Sequence, residues 1–152
     1  MRTNYLQVEF PSLPENISLS RVIVASFAAQ LDFTLNELEE IRVAVSEAVS
    51  NCVIHGYPAD ARMNGEDKIC LELAIDDGML EIVVIDYGCG IKDLALAKTP
   101  AYSTDPERMG LGLVFMESFM DEMILQSEPG QGTRVVMRKN PERGKGHDKS
   151  RE

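Results

Sequence analysis

The chain has 152 residues and a mass of 16.9 kDa, which suits one domain with a moderate core and leaves too little for two independent ones. Its net charge is −10, and residues 1–138 carry ten basic against 22 acidic residues. A body this acidic argues against direct binding of nucleic acid or of an anionic membrane, and favours a basic protein surface as partner.

The three cysteines, Cys52, Cys70 and Cys89, are widely separated and lack the paired spacing of a zinc site or a disulfide framework. The N-terminus has no apolar core typical of a signal peptide, and no later run reaches membrane-spanning length. These features predict a cytoplasmic protein with reduced thiols that serve as packing residues.

A half-buried strand opens the chain, because Leu6, Val8 and Phe10 alternate with polar residues. Apolar residues at helical spacing then predict a first helix over 16–31. Arg21 lies within that helix, and spacing alone favours a side chain that extends along the helix flank into solvent.

A second helix is predicted over 34–56. Thr34 and Glu37 have capping-box spacing, and Gly56 is a favourable end. One apolar stripe faces the core, formed by Leu38, Ile41, Val45, Ala48 and Cys52.

Glu47 and Asn51 are four residues apart on this helix, so a carboxylate and a carboxamide project in the same direction. A carboxylate can take a proton from a hydroxyl, and a carboxamide oxygen suits hydrated Mg²⁺. Taken alone, the pair is better described as two solvated residues on the outer face of the helix.

Further along, patterning predicts a hairpin of two strands at 68–75 and 79–85, followed by a lid over 99–109. A third helix is predicted over 110–123, and a final hairpin has its strands at 122–127 and 133–138. This order predicts an α+β fold, a two-layer α/β sandwich with helices on one face of a mixed, mostly antiparallel sheet. Residues 1–138 are predicted to form the single domain, and the charged residues 139–152 a disordered tail.

Three glycine-bearing segments are candidates for ligand binding. Asp86 follows a buried strand and precedes Gly88 and Gly90, so its carboxylate can accept a hydrogen bond from an exocyclic amine. Gly110 and Gly112 are predicted to open the third helix, whose N-terminus favours a phosphate. The segment is neither a Walker loop nor a Rossmann fingerprint. Thr133, after Gly132, starts the last strand, where its hydroxyl can face the same pocket.

The order of these motifs resembles the Bergerat ATP-binding (GHKL, histidine-kinase-like) fold of gyrase, heat-shock chaperones, mismatch-repair ATPases and histidine kinases. The segments VSEAVSNCVIHGY, IDYGCGI and MGLGLVFMESFMDEM are similar to those of the anti-sigma serine kinases that act in sporulation. The likeness runs from about Glu9 to Arg138.

The resemblance implies a general-base role for Glu47, a Mg²⁺-ligand role for Asn51, and recognition of the adenine amine by Asp86. It assigns the remaining contacts with ATP to Gly88, Gly90, Ser103, Thr104, Arg108, Gly110, Leu111, Gly112 and Thr133. It also implies that Arg21 contacts a protein partner.

The family pattern implies a homodimer that holds a sporulation sigma factor inactive with ATP bound, and that phosphorylates a serine of an anti-anti-sigma protein. One alternative is a nucleotide-gated binding module without phosphoryl transfer. Departures from the family's lid keep it open, because this lid is about two residues shorter and Asp105 stands where a lysine is usual. Glu47 argues against it, because a pure binding module has no evident need for a base. Another is a general-stress anti-sigma kinase of the same group. A stand-alone histidine-kinase ATPase domain fits less well, because the chain has no room for a phosphoacceptor helix pair.

Overall fold

The computed structural model describes residues 2–56, 67–88, 106–128 and 130–142. The helices in these ranges are α1 (Glu15–Ala28), α2 (Leu35–Asn51) and α3 (Pro106–Phe119), and a π-helical turn, Cys52–Gly56, continues α2. The strands are β1 (Arg2–Pro11), β2 (Lys68–Asp76), β3 (Met79–Asp86), β4 (Glu122–Glu128) and β5 (Gly132–Lys139).

The five strands form one sheet in the order β1-β2-β3-β5-β4. Every neighbouring pair is antiparallel, so the expectation of a mixed sheet is wrong for the described strands. Two of the four pairs, β2–β3 and β4–β5, are hairpins, which join antiparallel strands. Asp77 and Gly78, which both have positive φ, join β2 to β3 in a two-residue turn whose twist suits antiparallel strands.

The helices pack on one face of the sheet, as predicted for a two-layer sandwich, and α2 lies between α1 and α3. The core between the layers includes Ile41 and Val45 of α2 and Met116 of α3, none of which is exposed. Burying side chains of this size stabilises the fold by about 1.5–3 kcal/mol each. The core therefore fixes α2 against both the sheet and α3.

The start of α2 follows the sequence prediction. The hydroxyl of Thr34 accepts the backbone N–H of Glu37 at 3.1 Å, and the Glu37 carboxylate accepts the backbone N–H of Thr34 at 2.8 Å. This capping box satisfies two backbone donors at the helix terminus.

The bounds of the third helix differ from the prediction at both ends. It begins at Pro106, because proline is favoured at the first helical position, and Gly110 and Gly112 therefore lie inside α3. It ends at Phe119, because the backbone N–H of Asp121 bonds to Arg138 of β5 and the chain enters β4. Met123 consequently lies in β4.

The boundary predicted before residue 139 also moves. Lys139 is the last residue of β5 and is buried, and the backbone N–H of Glu142 donates to Glu37 at 2.7 Å. The predicted disordered tail therefore cannot begin before residue 143. Residues 143–152 lie outside the described residues, and for them the tail stays a prediction. In the described ranges, no helix has the length and apolar character needed to span a membrane.

Candidate functional site

Two candidate polar residues lie near the C-terminal end of α2. Glu47 and Asn51 are both half-buried, one turn apart, and α3 crosses directly over them. A Cβ added to Gly112 would lie 2.9 Å from Glu47 Oε1 and 3.5 Å from Asn51 Nδ2. Gly112 thus allows the backbone of α3 to approach the two side chains, and a larger residue would displace the carboxylate.

A second group of residues surrounds Asp86 at the end of β3. Its carboxylate is 3% exposed and accepts the backbone N–H of Gly88 at 2.9 Å. The backbone N–H of Thr133, its partner across β5, and the thiol of Cys52 also donate to it. Burial raises the pKa of Asp86, and the hydrogen bonds, first that from Gly88, partly offset the increase.

The end of β3 is held against β5 by a glycine. Gly132 has φ +98°, and an added Cβ would collide with the carbonyl oxygen of Asp86 and lie 2.8 Å from Tyr87 Cα. Only glycine fits this conformation and this spacing. Beside it, a cleft of about 270 Å³ is lined by residues that include Asp86, Tyr87, Ser127, Gly132 and Thr133.

Cys52 joins the two groups, because it directly follows Asn51 and its thiol reaches Asp86. The π-helical turn that begins at Cys52 packs against β3 and β5. Burial, together with the nearby Asp86 carboxylate, raises the pKa of Cys52 well above its ordinary value. The thiol therefore stays protonated at neutral pH and can act as a donor.

This arrangement offers two chemically distinct ends. At one end, Glu47 and Asn51 supply oxygen atoms suited to a proton transfer and to a hard cation. At the other, a buried carboxylate offers an acceptor for an amine donor. Within the described residues, no group of three or more His, Cys, Asp or Glu side chains could hold a metal ion. The oxygens at the first end fit a hydrated Mg²⁺ that is also held by a ligand's phosphates.

The structure thus brings together Glu47, Asn51 and Gly112, and separately Asp86, Gly88 and Thr133. Arg108, Gly110 and Leu111 lie in the first two turns of α3. Because α3 begins at Pro106, the first-turn N–H groups belong to residues before Gly110, so the predicted place of the G-x-G segment at the helix N-terminus is wrong. Gly90, Ser103 and Thr104 lie outside the described residues.

Arg21 is placed apart from these groups. Arg21 is half-buried on α1, and its guanidinium donates to the hydroxyl of Ser18, in the same helix, at 3.0 Å. The contact of Arg21 with a protein partner stays a prediction.

Sequence reasoning missed two residues of the Asp86 group. The sequence predicts a packing role for Cys52, although its place directly after Asn51 could indicate a link between the two ends. Gly132 enters the prediction only as the neighbour of Thr133. Its positive φ depends on the close approach of β5 to β3, which no local pattern encodes.

Comparison with known proteins gives the family. A family model described as a histidine kinase-like ATPase domain matches residues 10–139. The anti-sigma F factor of Geobacillus kaustophilus (strain HTA426) is 45% identical over 139 residues, which cover 90% of this chain and 92% of that protein. The anti-sigma F factor of Bacillus subtilis (strain 168) is 42% identical over 144 residues, which cover 93% and 96%. The chain belongs to the histidine kinase-like ATPases and, within them, to the family of the anti-sigma F factors.

Solved structures share the fold. The RsbU and RsbW domains of Rv1364c from Mycobacterium tuberculosis match with a TM-score of 0.61 and 21% identity, over 91% of this chain and 32% of that one. The catalytic domain of the histidine kinase ThkA matches with a TM-score of 0.53 and 16% identity, over 90% and 99%. The Bergerat fold expected from the motifs is therefore confirmed, and the family's ATPase domain implies ATP as the ligand.

Proposed function

We propose that this chain is an anti-sigma factor and an ATP-dependent protein serine kinase. It binds and inhibits a sporulation sigma factor, and it phosphorylates a serine of the anti-anti-sigma protein that antagonises it. The observation that carries the proposal is the contact of Gly112 with Glu47 and Asn51. This contact lies in a histidine kinase-like ATPase domain, and the chain is closely related to anti-sigma F factors.

In this proposal Glu47 takes the proton of the substrate serine. The serine oxygen then forms a bond to the γ-phosphorus of ATP, the bond to the β-γ bridging oxygen breaks, and ADP leaves. Asn51 would hold the Mg²⁺, which neutralises phosphate charge. The domain supplies mainly positioning, which suits a reaction that depends more on geometry and electrostatics than on covalent catalysis.

Asp86 accepts a hydrogen bond from the exocyclic amine of adenine, and Thr133 supports the base pocket. Gly88 and Gly90 shape this pocket, while Ser103, Thr104, Arg108, Gly110 and Leu111 contact the phosphates together with Gly112. The support for this half of the site is the burial of Asp86 and its three donors, which fix the carboxylate at the edge of an open cleft.

The proposed assembly is a cytoplasmic homodimer, with Arg21 of α1 in contact with a protein partner. The acidic character of residues 1–138 favours a basic sigma factor surface. The half-buried position of Arg21 supports a contact made by the end of the side chain rather than by its whole length.

The proposal is tested by incubating the purified full chain with Mg²⁺, γ-labelled ATP and a candidate anti-anti-sigma protein. The expected result is label on a serine of that protein, which is absent when ATP is labelled at the α-phosphate. Binding of ATP and of a sigma factor without any transfer of label would contradict the kinase, and would favour the nucleotide-gated binding module.

A further inference from the structure

Three donors from three different segments of the chain hold the carboxylate of Asp86. Two are backbone N–H groups, one from Gly88, two residues after the end of β3, and one from Thr133 across the β3–β5 ladder. The third is the thiol of Cys52. A carboxylate can accept about four hydrogen bonds, so these three donors leave it able to accept one more from a ligand.

The position of the Cys52 thiol is fixed by the backbone. The N–H of Cys52 still bonds to the carbonyls of Ala48 and Val49, so the residue is anchored to the end of α2. Its side chain is 5% exposed, within a π-helical turn that packs on β3 and β5. Single π-helical turns within helices frequently occur at functional sites.

We propose that Cys52 is a positioning residue for nucleotide recognition: its S–H group orients the Asp86 carboxylate so that the remaining acceptor direction meets the exocyclic amine of adenine. This inference rests on the proposed binding of ATP and adds to it a determinant of base selectivity. Of these three donors, Cys52 alone acts through its side chain, so substitution can remove its hydrogen bond without altering the strands.

The terminal torsion of an aspartate is soft, and a carboxylate that loses one of its donors can rotate within its site. A rotated carboxylate offers a poorer acceptor to the amine of adenine. It also repels the carbonyl oxygen of a 6-oxo purine less strongly. Loss of the thiol should therefore weaken the preference for adenine rather than nucleotide binding as a whole.

The test measures binding of ATP and of inosine triphosphate, which carries a 6-oxo group, to the full chain by calorimetry. We expect Cys52→Ala to weaken ATP binding about two- to tenfold, the range that one net hydrogen bond represents. Binding of inosine triphosphate should change less than about twofold. Cys52→Ser, which keeps a donor, should restore the wild-type ratio of the two affinities.

The matched control is Cys70→Ala. Cys70 is equally buried, but it lies in β2 with its sulfur near Gln7, on the sheet face opposite the helices. Its substitution should leave the ratio unchanged. Asp86→Asn provides a second control, because Cys52→Ala should no longer alter the ratio in that background.

An equal loss of both affinities in Cys52→Ala, or a Cys52→Ser variant as impaired as Cys52→Ala, would overturn the role of Cys52 and leave the proposed function intact. If the wild-type chain binds neither nucleotide, the proposed function fails and this inference fails with it. Should Cys52→Ala not fold, the Cys52→Ser ratio decides alone: the wild-type ratio is expected, and a ratio lowered by about twofold or more, the loss of one net hydrogen bond, would contradict the inference.

Discussion

At the scale of single residues, the site depends on positions where the backbone leaves little choice. Asp86 is a buried carboxylate, and a buried charge is costly unless it is hydrogen-bonded. Gly88, Thr133 and Cys52 provide those bonds, and Gly132 lets the strand that carries Thr133 approach closely enough. One buried acceptor thus constrains the residues around it.

Replacing Gly132 by alanine should destabilise the fold by more than about 2 kcal/mol, because a positive φ is strained for alanine and the new Cβ collides with backbone atoms of Asp86 and Tyr87. Gly130 is the matched control. It also has positive φ, at +80°, but an added Cβ meets nothing within 4 Å, so Gly130→Ala should cost only about 1–2 kcal/mol. Urea unfolding of both variants measures the difference, and equal costs would contradict this explanation.

The raised pKa of Asp86 predicts a pH dependence of stability. The folded chain holds this proton more tightly than the unfolded chain, whose value is near 3.8. Stability falls with pH wherever the folded state binds more protons. The free energy of unfolding of the wild type, relative to Asp86→Asn, should therefore decline from about pH 4 upwards through the raised pKa and then become constant. Urea titrations of both proteins across this range test the sign, and a difference that increases with pH would show that it is wrong.

At the scale of elements, the sequence predicted what local chemistry determines. The capping box at Thr34, the alternation of β2 and the two-residue turn at Asp77 are all signals within a few residues, and the structure has them. The end of α3 was mispredicted because a bond between Asp121 and Arg138, distant in sequence, ends the helix. The packing of Gly112 on α2 was not predictable either, since it requires two helices to cross.

The α2 helix offers a direct test of its start. Thr34→Ala removes the hydroxyl that accepts the N–H of Glu37, and this should lower the free energy of unfolding by about 0.5–2 kcal/mol. Thr34→Ser keeps the acceptor and should stay within a few tenths of a kcal/mol of the wild type. Chemical denaturation of the two variants measures the effect. If serine were as destabilising as alanine, packing of the threonine methyl group and not capping would explain the loss.

At the scale of the whole molecule, the last described residues connect elements that are distant in sequence. The ammonium group of Lys139 donates to the carbonyl of Phe119 at 2.6 Å, at the end of α3, and lies 3.4 Å from Glu40 of α2. The N–H of Glu142 reaches Glu37 in the first turn of α2. The helix that carries Glu47 and Asn51 is therefore held at its start by the C-terminal strand.

Lys139→Met should destabilise the protein by about 1–3 kcal/mol, because it leaves a helix-end carbonyl and a partly buried carboxylate without their common donor. Lys68→Met is the matched control, since Lys68 is half-exposed and its ion pair with Glu9, at 3.9 Å, lies at the surface. Its effect should stay within about 0.5 kcal/mol. Thermal or urea unfolding distinguishes the two, and similar losses would contradict the connecting role of Lys139.

The most direct test of the kinase is a single-turnover measurement of phosphoryl transfer by Glu47→Gln, with ATP affinity measured alongside. Loss of a general base should lower the transfer rate by about 10²–10⁴-fold while ATP still binds. Glu39→Gln is the control, because Glu39 lies exposed on the same helix beside Arg42 and should transfer phosphate at the wild-type rate. A Glu47→Gln protein that transfers phosphate as fast as the wild type would contradict the assignment of Glu47 as the base.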